Sequence, residues 1–276
     1  MSESLAIERQ GPIGLITMNR PERHNAFDDV LIAELTEAFR SMEAEDGIRV
    51  VVLSGTGKSF SAGADLNWMK RMANFSIDEN RRDAMGLAAL MRTIAHLRKP
   101  TLARVQGPAF GGGVGLVACC DIAVATQDAS FALSEVKLGL IPAVISPYVV
   151  AAIGERAARR YFLTGERIEA ADAWRLGLIH ELTGNEAELD DMIGAIVDAM
   201  LGSSPAAQRE AKELIRAVSG RAVTSELIQD TAERIARVRA SPEGREGVTA
   251  FLEKRRASWI PPDPEPEIPP EAPPGI

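Results

Sequence analysis

The sequence predicts an α/β fold that continues into a helical region, and three observations indicate it. IRVVVLSG (48–55) is a continuous apolar run rich in β-branched residues, which is typical of a strand buried on both faces. Strand–helix units repeat up to about residue 140. After Pro147 the pattern is nearly all helical. We therefore expect an α/β half followed by a helical half.

The predicted elements follow one another along the whole chain. Two strands, at 5–8 and 13–18, precede a helix that Asp28 is placed to cap. Helices are expected from near Asp65 and from about 78 to 97, and KPTLARVQG, DIAVAT and ASFAL indicate further strands. A helix is expected to start at the triple glycine after KPTLARVQG. Later helices are expected at about 147–164, 169–176, 187–201, 205–219, 224–240 and 242–256. The apolar face of the first helix is predicted to consist of Val30, Leu31, Leu35, Ala38, Phe39 and Met42.

Composition limits the partners and the compartment. The 276 residues carry a net charge of −8, which argues against nucleic acid or an anionic membrane as the main partner. No apolar run is long enough to span a bilayer and no signal peptide is evident, so we expect a cytoplasmic protein. Cys119 and Cys120 are adjacent and are expected to be buried, reduced thiols. The three histidines lack metal-ligand spacing, so no metal site is expected.

Three regions are expected. Residues 1–200 form the α/β core, 201–258 a C-terminal helical region, and 259–276 an extended tail rich in proline and glutamate. From Ile260 onward the tail holds half of the prolines and four acidic residues, so it offers little to bury. A docking peptide is the alternative interpretation.

Two loops share one design. KSFSAGADL follows the strand at 48–55, and GPAFGGGVGL follows the strand TLARVQG. Each brings a backbone with small side chains to a helix N-terminus, where N–H groups are unpaired and the dipole is positive. Two such N–H groups can bind an oxygen that gains negative charge during a reaction. The glycines lack the phosphate-loop and dinucleotide patterns, but from one loop alone close helix packing stays an equal alternative.

In combination, these loops resemble those of the crotonase superfamily, the enoyl-CoA hydratases and isomerases. FSAGADL, then GGGVGL with CDIAVA, then SFALSEVKLGLIP carry the resemblance, and RPERHNAF, LTGERIEAADAWRLGLIHE and AFLEKR extend it from about 7 to 254. It implies a spiral of ββα units with C-terminal helices that form a homotrimer or a hexamer of two trimers. It also implies an acyl-CoA thioester substrate, with coenzyme A as part of the substrate and no separate cofactor. The oxyanion hole would be the backbone N–H groups of Ala64 and Gly112, with the thioester carbonyl so near Gly112 that a side chain would be in its way.

The resemblance also assigns the acid–base chemistry. Two-acid hydratases of this family carry one glutamate at the position of Gly115 and another at that of Glu135, and here only Glu135 remains. We expect Glu135 to be the catalytic acid–base group; a solvated loop glutamate is the alternative. One carboxylate can move a proton between two carbons, as in an isomerase, or activate water and return the proton, as in a hydratase. The absent side chain at Gly115 either makes room for a branched or carboxylated acyl group or allows helix packing.

Substrate and binding residues are expected from the same resemblance. SEVKLGLIPAVISPYVVAAIGERAARRYFLT (134–164) is most similar to bacterial hydratases of branched, carboxylated enoyl-CoAs of the methylglutaconyl type, which act in leucine or acyclic terpene breakdown. A hydratase is the first hypothesis, an enoyl-CoA isomerase the second, and a non-catalytic acyl-CoA binder the third. Asp65 and Asp121 could replace the missing acid but are expected to bond local backbone. The residues expected to contact substrate or coenzyme A are Arg23, Ala26, Ala62, Asp65, Leu66, Gly115, Phe251 and Lys254, the last two reaching a neighbouring subunit's nucleotide.

Overall fold

Two β-sheets organise the α/β part in the computed structural model, which describes residues 4–260. The strands are β1 Leu5–Gln10, β2 Ile13–Met18, β3 Val50–Gly55, β4 Thr101–Val105, β5 Ala109–Phe110, β6 Ile122–Thr126, β7 Ser130–Ala132, β8 Arg167–Glu169 and β9 Glu181–Thr183. The larger sheet has the order β1-β2-β3-β4-β6-β9, and only β1 runs antiparallel to its neighbour. The smaller sheet has the order β5-β7-β8. The predicted α/β class is confirmed.

Helices cover the sheets and form the C-terminal region. They are α1 Asp29–Ala44, α2 Leu66–Met72, α3 Ile77–Ala95, α4 Gly112–Cys119, α5 Ser146–Thr164, α6 Ala170–Leu176, α7 Glu186–Leu201, α8 Pro205–Val218, α9 Ser225–Ala240 and α10 Pro242–Leu252. As predicted, the Asp28 carboxylate caps α1 by accepting a hydrogen bond from the N–H of Leu31 at 2.9 Å. No helix among residues 4–260 is both long and apolar enough to cross a bilayer.

The central strands β3, β4 and β6 of the larger sheet are buried on both faces, as their continuous apolar sequences predict. On one face, residues of β2, β3 and β4 join α1, α3, α4 and α5 in the main core. On the other face, Val50, Val52, Leu102 and Val124 pack against α7. Cys119 and Cys120 are both buried, as expected. The main core therefore fixes α4, the helix that begins at the triple glycine.

The C-terminal helices α8, α9 and α10 pack on one another and expose several large apolar side chains. Lys212 of α8 reaches into the α/β part, where its Nζ donates to Asp121 Oδ2 at 2.5 Å and to the carbonyl of Lys99 at 2.9 Å. Two hydrogen bonds hold Trp259 against the rest of the protein. Its indole N–H donates to the carbonyl of Gly202, and the Arg49 guanidinium donates to the carbonyl of Trp259. Residues 261–276 of the predicted tail lie outside the described residues, and the predicted trimer contact stays a prediction.

Two expectations were wrong in detail, and three short strands were not predicted. Val30 is 56% exposed, because it lies one residue, about 100° around the helix, from the buried stripe that starts at Leu31. The segment after Pro147 is nearly all helical, as predicted, but the strands β8 and β9 within it were not predicted, and neither was β5 before α4. Finally, α10 ends at Leu252 and not near 256. Lys254 has a left-handed φ of 53°, and the N–H of the next residue bonds back to the carbonyl of Ala250.

Candidate active site

Ala64 lies beside the segment that precedes α1. The N–H of Phe27 donates to the carbonyl of Gly63 at 2.6 Å, and the N–H of Asp65 donates to the carbonyl of Phe27 at 2.7 Å. These two bonds form a parallel bridge between Phe27 and Ala64. In such a bridge, the N–H of Ala64 points away from Phe27. It finds no acceptor among residues 4–260, and Ala64 is exposed, so this donor is free for a ligand.

Gly112 is the first residue of α4 and comes shortly after β5. A second parallel bridge joins Ser61 to Ala109, so the Ala64 segment runs between Phe27 and β5. The N–H of Gly111 donates to the carbonyl of Ala132 at 2.9 Å, whereas the N–H of Gly112 has no acceptor in the described part of the chain. As the first residue of α4, Gly112 lacks an intrahelical acceptor. Within residues 4–260, neither predicted oxyanion donor has an acceptor, as the assignment requires, but the assignment itself stays a prediction.

The structure gives a second reason for the absence of a side chain at Gly112, besides the expected approach of the thioester carbonyl. A Cβ at Gly112 would lie 2.5 Å from Cε2 and 2.9 Å from Cδ2 of the Phe27 ring. The Phe27 side chain is buried, and its ring occupies the space that a side chain on Gly112 would need. The protein's own Phe27, and not only a bound thioester, excludes a side chain there.

Glu135 lies in a 3-10 turn (Ser134–Leu138) directly after β7. Its Oε2 is buried and receives no hydrogen bond from the described residues. Its Oε1 lies 3.1 Å from where a Cβ on Gly111 would be, so the carboxyl group lies beside the residue that precedes Gly112. Burial raises the pKa of the Glu135 carboxyl. Among the described residues, a carboxyl group with one buried, unpaired oxygen and a raised pKa, beside the residue that precedes Gly112, is a candidate acid–base group.

Gly115 is buried at a helix crossing. A Cβ there would lie 2.9 Å from the Cβ of Ile145 and 3.2 Å from Cε of Met91, and Cγ2 of Ile145 would be closer still. Ile145 precedes α5 and Met91 belongs to α3, so α4 is wedged between these two helices. Of the two alternatives, close helix packing accounts for this glycine, and the room expected for an acyl group is filled by Ile145. Contact between Gly115 and substrate stays a prediction.

The two aspartates considered as a replacement for the missing acid accept hydrogen bonds from backbone N–H groups, as expected. Asp65 caps α2 through the N–H groups of Asn67 and Trp68. Burial would raise its pKa, but these bonds and the nearby arginines outweigh burial and lower it. Asp121 accepts from the N–H and hydroxyl of Thr101 and from Lys212. Neither is a free acid.

The structure brings together some of the expected binding residues. Arg23 and Asp65 form an ion pair at 3.3 Å, and the N–H of Ala62 donates to the carbonyl of His24 at 2.8 Å. The segment with Arg23 and buried Ala26 thus lies along the segment with Ala62, Asp65 and exposed Leu66.

Phe251 and Lys254 lie apart from these two segments. Phe251 lies in the last turn of α10, which packs on α8 and α9, and Lys254 follows that helix; Phe251 is 82% exposed. No hydrogen bond or ion pair within residues 4–260 joins Phe251 or Lys254 to the two loops. Their predicted role in a neighbouring subunit's site stays a prediction.

Sequence reasoning missed two groups of residues around the site. Phe27 and Ile145 occupy the positions where side chains on Gly112 and Gly115 would lie, and no hydrophobic periodicity in the sequence indicates these contacts. Asn25 and Gln106 hold the loop after β3: the Asn25 amide donates to the carbonyls of Thr56 and Ser59, and the Gln106 amide donates to three carbonyls of the same loop. Asn25 and Phe27 lie in the motif RPERHNAF, and Ile145 lies in the segment 134–164, but neither stretch shows what these side chains contact.

The comparisons with known proteins are consistent with this geometry. A family model described as "Enoyl-CoA hydratase/isomerase" matches residues 8–261. An enoyl-CoA hydratase structure from Shewanella pealeana has a TM-score of 0.90 and 44% sequence identity, covering 93% of this chain and 96% of that one. The mitochondrial enoyl-CoA hydratase of Pongo abelii is 33% identical over 269 residues, 93% of this chain and 88% of the relative. The 2,3-dehydroadipyl-CoA hydratase of Escherichia coli is 31% identical over 256 residues, 92% and 97% of the two chains.

Proposed function

The chain belongs to the enoyl-CoA hydratase/isomerase family, and from this premise we propose that it hydrates an enoyl-CoA thioester with Glu135 as its single acid–base group. The observation that carries the proposal is the position of the Glu135 carboxyl. It is buried and unpaired at Oε2, and it lies beside Gly111 and thus next to the free N–H of Gly112. The proposed reaction needs no separate cofactor, because coenzyme A is part of the substrate.

The proposed mechanism uses three groups. The thioester oxygen accepts hydrogen bonds from the N–H groups of Ala64 and Gly112, which polarises the conjugated double bond. Ionised Glu135 takes a proton from water as the water oxygen bonds to C3, and the electron pair moves to the thioester oxygen as an enolate. Glu135 then returns the proton to C2. Fixed donors at the enolate oxygen stabilise the transition state, and each such donor contributes about 3–4 kcal/mol.

For the substrate, we propose a branched enoyl-CoA with a free carboxylate, of the methylglutaconyl type. The resemblance of segment 134–164 supports it, as does the Escherichia coli relative, whose name gives a dicarboxylic acyl-CoA. Gly115 does not support it, because Ile145 fills the space beside this glycine. We place the reaction in cytoplasmic breakdown of leucine or acyclic terpenes and the chain in a homotrimer or a hexamer of two trimers.

A second candidate is isomerisation, in which the double bond moves between positions 3 and 2. The observation that favours it is the apolar Ile145 at the place where a side chain on residue 115 would lie. With one carboxylate, Glu135 would carry a proton from C2 to C4 and no water would be needed.

A substrate panel separates these reactions. The wild-type chain is assayed with crotonyl-CoA, methylglutaconyl-CoA and a 3-enoyl-CoA, following the absorbance of the conjugated thioester and the product mass. A hydratase gives products heavier by one water, whereas an isomerase gives products of unchanged mass. Methylglutaconyl-CoA should have the highest kcat/KM.

The role of Glu135 is tested in the same assay. Glu135→Gln keeps the size of the side chain but removes the carboxylate, so kcat should fall by about 10²–10⁴-fold with little change in binding. Glu37→Gln, which alters an exposed carboxylate on α1, is the matched control and should keep wild-type turnover. Wild-type turnover in Glu135→Gln, or no reaction of wild type with any enoyl-CoA, would refute the proposal.

A further inference from the structure

We propose that Phe27 is a positioning residue that sets the distance between the two oxyanion donors, Ala64 and Gly112. The inference rests on the proposed function, because it concerns how those donors are held. Phe27 does not touch the reacting atoms in this proposal. It acts through its backbone on one donor and through its ring on the other.

The backbone of Phe27 fixes Ala64. Its N–H and its carbonyl bond to Gly63 and Asp65, the two neighbours of Ala64, at 2.6 and 2.7 Å. Holding both neighbours sets the orientation of the peptide between them. The N–H of Ala64 is thereby aimed to the side opposite Phe27, where β5 leads into Gly112.

The ring of Phe27 fixes Gly112. The ring is 1% exposed and lies against the Cα of Gly112, within 2.5 Å of the position a Cβ would take. Because the core is close-packed, the ring acts as a rigid spacer between α4 and the segment before α1. The same residue therefore touches both donor loops.

Phe27 is itself held by a buried arginine. Arg20 is 8% exposed; it donates to the carbonyl of Ala26 at 3.2 Å and pairs with Asp28 at 2.9 Å. Its other nitrogen lies 3.8 Å from Asp65. Arg20 thus holds the residues on both sides of Phe27 and the residue that follows Ala64. Through Arg20, the spacer is tied to the Ala64 loop.

The test combines two substitutions in a cycle. Phe27→Leu keeps an apolar side chain but shortens the spacer, so kcat should fall about 10-fold or more while KM changes by less than threefold, since small misplacements of catalytic groups are costly. Gly112→Ala should also lower kcat, because its Cβ meets the ring. In the double variant the shorter side chain admits that Cβ, so kcat should exceed the product of the two single effects by at least about fivefold.

Controls separate positioning from packing. Phe39→Leu alters an equally buried phenylalanine on α1 and should lower the melting temperature as much as Phe27→Leu, with kcat within twofold of wild type. Equal losses of kcat in Phe27→Leu and Phe39→Leu would overturn the inference, as would an additive cycle or unchanged kcat in Phe27→Leu. These failures leave the proposed function intact if Glu135→Gln is inactive. If wild type converts no enoyl-CoA, both fall together.

Discussion

The contact between Gly115 and Ile145 gives a prediction whose size follows from the structure. A Cβ on residue 115 would lie 2.9 Å from the Cβ of Ile145, and Cγ2 of Ile145 would be nearer. Carbon atoms in ordinary contact are about 3.5–4.0 Å apart, so Ile145 would have to retreat by about an ångström or more. Overpacking of a close-packed core costs about 1–3 kcal/mol, and we expect Gly115→Ala to lose this much stability.

A double-mutant cycle identifies Ile145 as the cause. Ile145→Ala alone should lose about 2–5 kcal/mol through its cavity. In the double variant, the new Cβ at 115 enters part of that cavity and most of the clash is removed. The loss should therefore be smaller than the sum of the single losses by about 1 kcal/mol or more.

Urea unfolding of the four proteins at one subunit concentration measures these differences, because stability depends on concentration in the predicted trimer. Gly86→Ala is the matched control: Gly86 is exposed within α3, with no atom within 4 Å of its Cβ position. It should gain about 0.5–1 kcal/mol. If the loss in the double variant equals the sum of the two single losses within about 0.5 kcal/mol, Ile145 is not the neighbour that excludes a side chain from residue 115.

The same contact changes what a second acid would do. Gly115→Glu alone should lower kcat/KM for all enoyl-CoAs, since Ile145 occupies the place of the new side chain. Combined with Ile145→Ala, the glutamate should gain space and shift the ratio of kcat/KM toward crotonyl-CoA over a carboxylated substrate, because like charges repel. Equal ratios for both substrates in the double variant would contradict this expectation.

Three further predictions concern titration and buried polar groups. Burial raises the pKa of Glu135, so the folded chain holds this proton more tightly than the unfolded chain, and its ionisation lowers stability as pH rises from the unfolded value toward the folded one. Thermal melts should therefore show Glu135→Gln gaining stability relative to wild type as pH rises from about 4, and a constant difference would contradict this. Asp121→Asn should lose about 1.5–3 kcal/mol in urea unfolding, because it removes the ion pair with Lys212, while kcat stays within twofold; a large loss of kcat would show that Asp121 is an acid in the reaction. Burial raises the pKa of the Cys120 thiol to about 12, so iodoacetamide should modify it only after denaturation, and labelling of the folded chain detected by mass would contradict its burial.

The fold could be predicted as far as its elements are long and periodic. The strand at 48–55 and the helix capped by Asp28 are each strong in composition and spacing, and both were correct. The strands β5, β8 and β9 have two or three residues each, too few for an alternation to appear. They are strands only because neighbouring backbone pairs with them.

The candidate site was predictable in its motifs but not in its packing. Glycine at 112 and at 115 indicated that something approaches closely, but the sequence does not say what. In the structure, Phe27 approaches Gly112 and Ile145 approaches Gly115, and both lie far from these glycines in sequence. Contacts of this kind depend on how helices and segments meet, and a pattern within one segment carries no information on them.

The two parallel bridges, Phe27 with Ala64 and Ser61 with Ala109, also bear on how the chain folds. Each closes a long stretch of sequence, whereas the helices form through local contacts. Bringing distant residues together lowers the chain entropy before any stabilising contact has formed, so such contacts form slowly. During refolding, helical circular dichroism should therefore return before turnover does. Turnover thus measures completion of the fold, and a chain with full helix content can still lack its site.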